Sequence, residues 1–189
     1  MGGSAAPHRV RAFLAVPLPE AQRQSLAAHL EECDQVAPSY RWVPPQNLHV
    51  TLRFLGGLDP ATVQRLQAEL RRVRASPFRL ALDGRDAFGP RSSPRVVWLS
   101  VTEGARDCAA LAASLERACQ AAGLEPEPRP FRAHLTLARA RPGAARLPAL
   151  PEPPALEAWT VCDFVLYESR LGGRAAAYVP LERYRLRPE

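Results

Sequence analysis

The chain has 189 residues, a formal net charge of +6 at pH 7 and a composition that is 47% hydrophobic. This length is enough for one domain with a substantial core, and the absence of a run of eighteen apolar residues excludes a transmembrane helix. All 25 basic residues are arginine, a bias that GC-rich coding explains at surface positions; guanidinium groups nevertheless suit phosphate, so an anionic partner is favoured, whether a nucleotide or a long nucleic acid.

The start of the chain, residues 1–8, is expected to be a disordered leader, because it lacks the apolar central region of a secretory signal. We expect residues 9–189 to form a single domain and the protein to be cytoplasmic. The cysteines form no CxxC pair and sit inside apolar periodic segments, so we expect reduced structural thiols and no zinc site. These are Cys33, Cys108, Cys119 and Cys162.

The first half of the chain alternates strand and helix patterns. Residues 9–18 read as a strand, and helical spacing of apolar residues follows from about Glu20. Asp59 and Pro60 open a second helix as its cap and first position. Residues 78–84 and 95–101 then read as strands.

The second half begins with a third helix, predicted over residues 104–122 with Gly123 as its stop. Residues 123–132 and 141–156 are proline-rich and predict loops, because proline interrupts both helices and central strands. Residues 158–169 and 176–186 read as two late strands. The alternation of strands with three helices predicts an α/β or α+β domain.

A His-x-Thr motif occurs twice, as "LHVTLRF" and "AHLTLAR", in a chain with only four histidines. Residues two apart in a strand share a face. His49 and Thr51 therefore point together, as do His134 and Thr136, with apolar residues behind them. One such histidine alone is more often a structural hydrogen-bonding group, but two copies of the same polar face favour a shared site.

Two imidazoles can divide acid–base catalysis near neutral pH, since one accepts a proton while the other donates one. The threonine hydroxyls can donate to phosphoryl oxygens as charge builds on them in the transition state. This chemistry suits a cyclic phosphodiester. A metal site is the weaker interpretation, because threonine is a poor ligand and neither motif contains a carboxylate.

These motifs and their flanks resemble the bacterial and archaeal RNA 2′,3′-cyclic phosphodiesterases of the 2H phosphoesterase superfamily, once called 2′-5′ RNA ligases. The resemblance covers most of the chain. "RWVPPQNLHVTLRFLG" and "FRAHLTLAR" are similar to the two motif blocks of the family, and "RAFLAVPLP", "RVVWLSV", "FVLYESRL" and "YVPLERYRL" to its other strands.

The resemblance implies a bilobal, pseudo-twofold α/β (α+β) fold in which antiparallel sheets, flanked by helices, surround a central cleft. It implies hydrolysis of RNA 2′,3′-cyclic phosphate ends to 2′-phosphomonoesters without a metal or other cofactor. By position, His49 would be the proton donor to the departing 3′ oxygen and His134 the proton acceptor that activates water. Thr51 and Thr136 would hold the phosphate. Ala133 stands where the family usually has proline.

Five further residues are candidates for substrate contact. Arg139 matches a family arginine near the phosphate, although strict alternation places it on the face opposite His134; a surface ion pair is the alternative. Arg53 follows Thr51 by two residues, so alternation places it on the same face as His49 and Thr51. It either lines the cleft or is a solvated arginine at a strand end. Three aromatic residues either reach the cleft, two of them to stack on a base, or serve in packing: Trp42, Phe54 and Tyr178.

The expected partner is RNA or an oligonucleotide with a 2′,3′-cyclic phosphate end, or a small nucleotide, and we expect a monomer. Two other functions fit the same residues. The first is 2′-5′ RNA end-joining, the reverse reaction, which microscopic reversibility allows. The second is a non-catalytic nucleotide- or RNA-binding module, which predicts binding without turnover.

Overall fold

The computed structural model describes residues 9–90, 93–144, 146–172 and 176–188. The predicted leader, residues 1–8, lies outside the described residues. Within them the chain forms nine β-strands and three α-helices, as the sequence pattern predicts for a mixed α/β fold. The strands are β1 (Val10–Pro17), β2 (Tyr40–Trp42), β3 (His49–Leu58), β4 (Phe78–Phe88), β5 (Val96–Glu103), β6 (His134–Ala140), β7 (Trp159–Val161), β8 (Asp163–Arg170) and β9 (Ala177–Arg185); the helices are α1 (Glu20–Val36), α2 (Pro60–Leu70) and α3 (Ala105–Ala121).

The strands form one curled antiparallel sheet, a half-barrel, in the order β7-β4-β5-β6-β3-β1-β8-β9, with β2 added against β6. Its two halves meet where β3 crosses β6, and these strands pair only at Val50 and Leu135. Both motif strands therefore lie at the centre of the sheet. Because the ladder opens on either side of this single pairing, space for a ligand is left beside the motif residues.

The prediction of one strand over residues 158–169 is wrong. The chain forms two strands there, and these lie in opposite halves of the sheet: β7 pairs with β4, whereas β8 pairs with β1. The break falls at Cys162, whose side chain is exposed, unlike the other three free cysteines. A continuous β-favouring composition does not mark this break, because both short strands are rich in the same residue types.

The helix ends follow local chemistry. The Asp59 carboxylate accepts a hydrogen bond of 2.8 Å from the backbone N–H of Thr62 and caps α2, with Pro60 at the first position. Helix α3 begins after Gly104, whose φ is +79°. A Cβ atom at Gly104 would lie 2.2 Å from the carbonyl oxygen of Arg79, so glycine is required by both conformation and space.

The helices and one face of the sheet enclose the hydrophobic core. Leu26, Leu66 and Leu115 of the three helices are fully buried in the same cluster as Leu14 and Val50 of the strands. The opposite face of β1 and β5 carries Phe13 and Trp98, which are also buried but lie outside that cluster. The sheet thus has a core face and a second, aromatic face. No helix among the described residues is long and apolar enough to cross a membrane.

Candidate active site

The two motif histidines are held by the same local hydrogen bond. Nδ1 of His49 lies 2.7 Å from the carbonyl oxygen of Asn47, and Nδ1 of His134 lies 2.7 Å from that of Arg132. A carbonyl can only accept, so each Nδ1 carries the proton and donates it. In the neutral imidazoles Nε2 is therefore the free basic nitrogen, and both rings are fixed in the tautomer required for proton transfer at Nε2.

His49 lies among aromatic rings. Its ring centroid is 4.9 Å from that of Phe13 and 5.3 Å from that of Tyr178, which meets it edge-on. Burial among these rings, together with the charges of Arg139 and His134, lowers the pKa of His49 to about 4. His49 is therefore neutral at pH 7 in the free protein, and Arg139 and His134 lie within electrostatic reach of it.

His134 has a different neighbourhood. Phe88 and Trp98 meet its ring edge-on at 5.2 and 5.7 Å. The guanidinium carbon of Arg132 stands 4.5 Å above the Trp98 ring, so a cation covers the aromatic residue behind the imidazole. Burial lowers the pKa of His134, and the charges of Arg139 and Arg132 act in the same direction. This imidazole also favours its neutral form.

Thr51 and Thr136 lie beside the two imidazoles, on the aromatic face of the sheet. Thr51 is the register partner of Ala15, and Thr136 that of Trp98. Both are half-buried, and neither hydroxyl has a hydrogen-bond partner among the residues that the structure describes. Each hydroxyl is free to donate to a phosphoryl oxygen.

Each motif strand carries a β-bulge three residues after its histidine. In β3, Thr51 pairs with Ala15 of β1 and Arg53 pairs with the adjacent Leu14, so Leu52 between them is the extra residue. In β6, Thr136 pairs with Trp98 of β5 and Ala138 pairs with the adjacent Val97, so Leu137 is the extra residue. A bulge inserts one residue, so every later side chain changes face. Simple alternation therefore fails in both strands after this point.

The bulge turns Arg53 toward the core side of the sheet, contrary to simple alternation. Arg53 is opposite Leu14, a core residue, and is only 7% exposed. Its guanidinium forms an ion pair with Glu116 of α3 and donates at 2.6 Å to the carbonyl of Glu125. Arg53 is therefore not a solvated arginine at a strand end, and it lines a groove together with Thr51, Phe54 and His134, as the cleft interpretation expects.

The equivalent bulge in β6 turns Arg139 toward the face that carries the histidines. Alternation would place it on the face opposite His134, but the extra residue at Leu137 reverses its direction, and its register partner is Val96. Arg139 is exposed and has no carboxylate partner among the described residues, so the alternative of a surface ion pair is not found there. Phe54 holds the equivalent place in β3: it is opposite Phe13 and is 48% exposed.

The other two aromatic candidates are placed differently. Trp42 is the register partner of Ala138, a core residue, packs against the core and donates its indole N–H to the Ala37 carbonyl at 3.2 Å. Trp42 therefore packs against the core, and it also lines a groove with Arg139 and Tyr178. Tyr178 lies against His49 and reaches the cleft.

Two grooves extend from the site. The larger, of about 680 Å³, runs from Thr51 and His134 past Phe54 and Phe88 toward α3 and the loop at residues 127–132. The smaller, of about 430 Å³, runs between α1 and the sheet beside Arg139 and Tyr178. Both volumes lie within the usual range of small-molecule binding sites, roughly 300–1,000 Å³.

Sequence reasoning found Tyr178 but missed the other aromatic residues around the imidazoles: Phe13, Phe88 and Trp98. Phe13 and Trp98 lie in strands whose apolar residues do not alternate: residues 12–16 and 97–99 are buried without interruption. A strand buried on both faces reads as a continuous apolar run, so this signal was present in the sequence. Nothing in the sequence indicates that one of the two buried faces surrounds the motif imidazoles. The described residues contain no group of three or more His, Cys, Asp or Glu side chains that could hold a metal ion.

Comparison with known proteins identifies the family. The model of the 2′-5′ RNA ligase superfamily matches residues 17–173. The chain belongs to the 2′-5′ RNA ligase superfamily. Two curated relatives, both named RNA 2′,3′-cyclic phosphodiesterase, are similar over nearly the full chain. The Thermus thermophilus protein is 36% identical over 95% of this chain and 92% of its own length, and the Escherichia coli K12 protein is 33% identical over 93% and 96%.

The fold of this superfamily member is similar to that of E. coli LigT in its crystal structure complexed with 3′-AMP. The TM-score is 0.80 with 30% sequence identity, over 94% of this chain and 98% of that one. The chain spans 52% of the Geobacillus stearothermophilus protein, and its match to the Aeropyrum pernix protein covers 57% of this chain and 61% of that protein; both are also named RNA 2′,3′-cyclic phosphodiesterase.

Proposed function

We propose that this protein hydrolyses RNA 2′,3′-cyclic phosphate ends to 2′-phosphomonoesters without a metal, with His49 and His134 as the acid–base pair. The observation that carries the proposal is the paired Nδ1 hydrogen bond, since it leaves Nε2 of both imidazoles free for proton transfer. The names of the relatives support the substrate class.

In the proposed reaction His134 Nε2 takes a proton from a water molecule, and the water oxygen bonds to phosphorus. The bond from phosphorus to the 3′ oxygen breaks, and His49 Nε2–H gives its proton to that oxygen. Charge on the non-bridging oxygens is met by the Thr51 and Thr136 hydroxyls and by Arg139. The 2′ oxygen keeps the phosphate.

This division of roles requires one protonated imidazole, yet both favour the neutral form in the free protein. A bound phosphate supplies a negative charge beside both rings, which favours the protonated form. We therefore expect substrate binding to raise the pKa of the pair. The assignment of the donor role to His49 is taken from the family resemblance, because the paired hydrogen bonds are alike and do not distinguish the two rings.

Metal independence is proposed from the donor set. The described site supplies an acid, a base, two hydroxyl donors and a guanidinium, which together cover proton transfer and charge stabilisation. Histidine and threonine without a carboxylate are a poor ligand set for Mg²⁺ or Ca²⁺.

Phe54, exposed at the mouth of the larger groove, is the aromatic surface on which a terminal base would stack.

The test is hydrolysis of a short oligoribonucleotide with a 2′,3′-cyclic phosphate end after exhaustive dialysis against EDTA. We expect full turnover, with the product identified by ³¹P NMR as a 2′-phosphate. A 3′-phosphate product would contradict the proposed leaving group. Activity lost in EDTA and restored by one divalent metal would overturn the metal-free mechanism.

The same assay separates the two alternatives. Adding an oligonucleotide with a free 5′-hydroxyl tests end-joining, which would appear as a longer product with a 2′-5′ linkage. Tight binding of the cyclic-ended RNA with neither hydrolysis nor joining would favour the binding module. We expect hydrolysis to dominate, since water is in large excess over any RNA end.

A further inference from the structure

The smaller groove contains a row of arginines that the proposed reaction does not use. Arg41 of β2 is the direct cross-strand partner of Arg139 of β6. Directly opposite residues of antiparallel strands point to the same face, and like charges in such pairs are destabilising. Arg141 follows Arg139 at the spacing that returns to the same side, and it also lines the groove.

These arginines are not neutralised by the protein. Arg41, Arg139 and Arg141 are exposed, and none has a carboxylate oxygen within ion-pair distance among the described residues. By contrast, many other arginines, such as Arg53, Arg71 and Arg183, do form ion pairs. Two opposed and unpaired guanidinium groups on one surface are the arrangement expected where an anion binds between or along them.

The row leads away from the reacting phosphate. Arg139 lies within electrostatic reach of both His49 and His134, so it marks the start of the groove. Arg41 lies one strand farther from β5, and Arg141 continues the line at the end of β6. The opposite wall is formed by α1, where Glu31 and Asp34 line the groove. A polyanion is therefore attracted to the sheet wall and repelled by the helix wall.

We propose that Arg41 binds an internucleotide phosphate of the RNA, next to the terminal cyclic phosphate that Arg139 contacts. This rests on the proposed function and deepens it: the substrate is an oligonucleotide whose chain leaves the active site along the smaller groove, and a cyclic mononucleotide is a poorer substrate. Single-stranded RNA fits because it carries one negative charge per nucleotide and needs no base-specific contact on this wall.

The kinetic test compares adenosine 2′,3′-cyclic phosphate with a pentaadenylate that has the same cyclic end. Arg41→Ala should lower kcat/KM for the pentanucleotide about tenfold and leave the mononucleotide unchanged. For the pentanucleotide, the slope of log kcat/KM against log salt should become shallower by about 0.7, the value for one contact with a single-stranded phosphate. Arg106→Ala, which removes an exposed arginine from α3, is the matched control and should change neither substrate.

Equal losses on both substrates would overturn the inference, because Arg41 would then act on the reacting phosphate or on the fold. Equal wild-type kcat/KM for the two substrates would also overturn it. Binding separates this inference from the proposed function: affinities of 2′-AMP and of pentaadenylate 2′-phosphate are measured by calorimetry. If the protein has no hydrolytic activity but binds the longer ligand more tightly through Arg41, the phosphate site stands and the proposed function fails. If Arg41→Ala leaves both affinities unchanged, the phosphate site fails.

Discussion

Strands β3 and β6 present the same backbone arrangement in two different surroundings. Each carries a histidine bound through Nδ1 to the carbonyl two residues earlier, and each has a bulge three residues later. His49 lies among Phe13 and Tyr178, whereas His134 lies beside Phe88, Trp98 and the charge of Arg132. The local hydrogen bonds fix the tautomer, and the neighbours set how easily each ring is charged.

The residues after the two bulges differ as well. In β3 the bulge sends Arg53 to the core face, where it pairs with Glu116, and places Phe54 on the aromatic face. In β6 the equivalent positions are Ala138 in the core and Arg139 at the site. Strand β3 thus places an aromatic ring beside the motif residues, and β6 places a cation there. A repeated backbone motif can therefore supply two complementary contacts to one asymmetric ligand.

The largest expected effect tests what the two strands share. His49→Ala and His134→Ala should each lower the hydrolysis rate on the order of 10²–10⁴-fold with the fold intact. The double variant should lose far less than the product of the two, because the pair acts as a unit. Rates come from the cyclic-ended oligonucleotide, and circular dichroism checks folding.

His29→Ala is the control for removal of a histidine. His29 is buried on α1, near Cys33, and is not part of the site. We expect nearly normal turnover by folded His29→Ala protein. Near-normal turnover by either motif variant would remove that histidine from the mechanism.

A second prediction tests the ion pair between Arg53 and Glu116, which has no counterpart in β6. Glu116→Gln leaves the buried guanidinium of Arg53 without its carboxylate, which should lower the free energy of unfolding on the order of 3 kcal/mol. Urea unfolding measures this loss. Glu32→Gln, at an exposed position of α1, should change the free energy of unfolding by less than about 0.5 kcal/mol.

The double variant Arg53→Met with Glu116→Leu should recover much of the stability, since it removes both charges together. A loss well under 1 kcal/mol for Glu116→Gln would show that the pair behaves as a solvated surface contact. In that case the burial of Arg53 behind the β3 bulge would contribute little to the free energy of unfolding.

A third prediction concerns the different burial of the two imidazoles and its effect on stability at low pH. The pKa of His49 is about 4 in the folded protein and 6.5 in its ordinary state, so the unfolded chain binds more protons between these values. The stability contributed by neutral His49 is therefore fully present above about pH 6.5 and is lost as pH falls toward 4. Relative to His49→Asn, the wild type should lose on the order of 2 kcal/mol between pH 6.5 and pH 4.5.

His134→Asn should show a loss of the same sign and smaller size, because the His134 ring borders the larger groove and His49 borders neither groove. Urea unfolding of the wild type and both variants at several pH values measures the two differences. A larger pH-dependent difference for His134 would reverse the comparison of the two environments.

Local sequence pattern was enough to predict those parts of the protein that depend on neighbouring residues. Helical spacing of apolar residues, the Asp59 cap and the stop at Gly123 gave the three helices to within a few residues. The placement of His49 with Thr51, and of His134 with Thr136, followed from alternation, because both pairs precede the bulges. The family followed from motif blocks that are local in the chain.

The points where alternation ends and the choice of neighbouring strands depend on contacts between distant segments, so the folded structure was needed to see them. The bulges at Leu52 and Leu137 carry no marker residue such as glycine, and they reverse the faces of Arg53 and Arg139. The division of residues 158–169 between two halves of the sheet also depends on distant partners. Strand pairing is set by contacts between segments far apart in the chain, so local pattern predicts that a strand forms but not which strand it joins or where its register shifts.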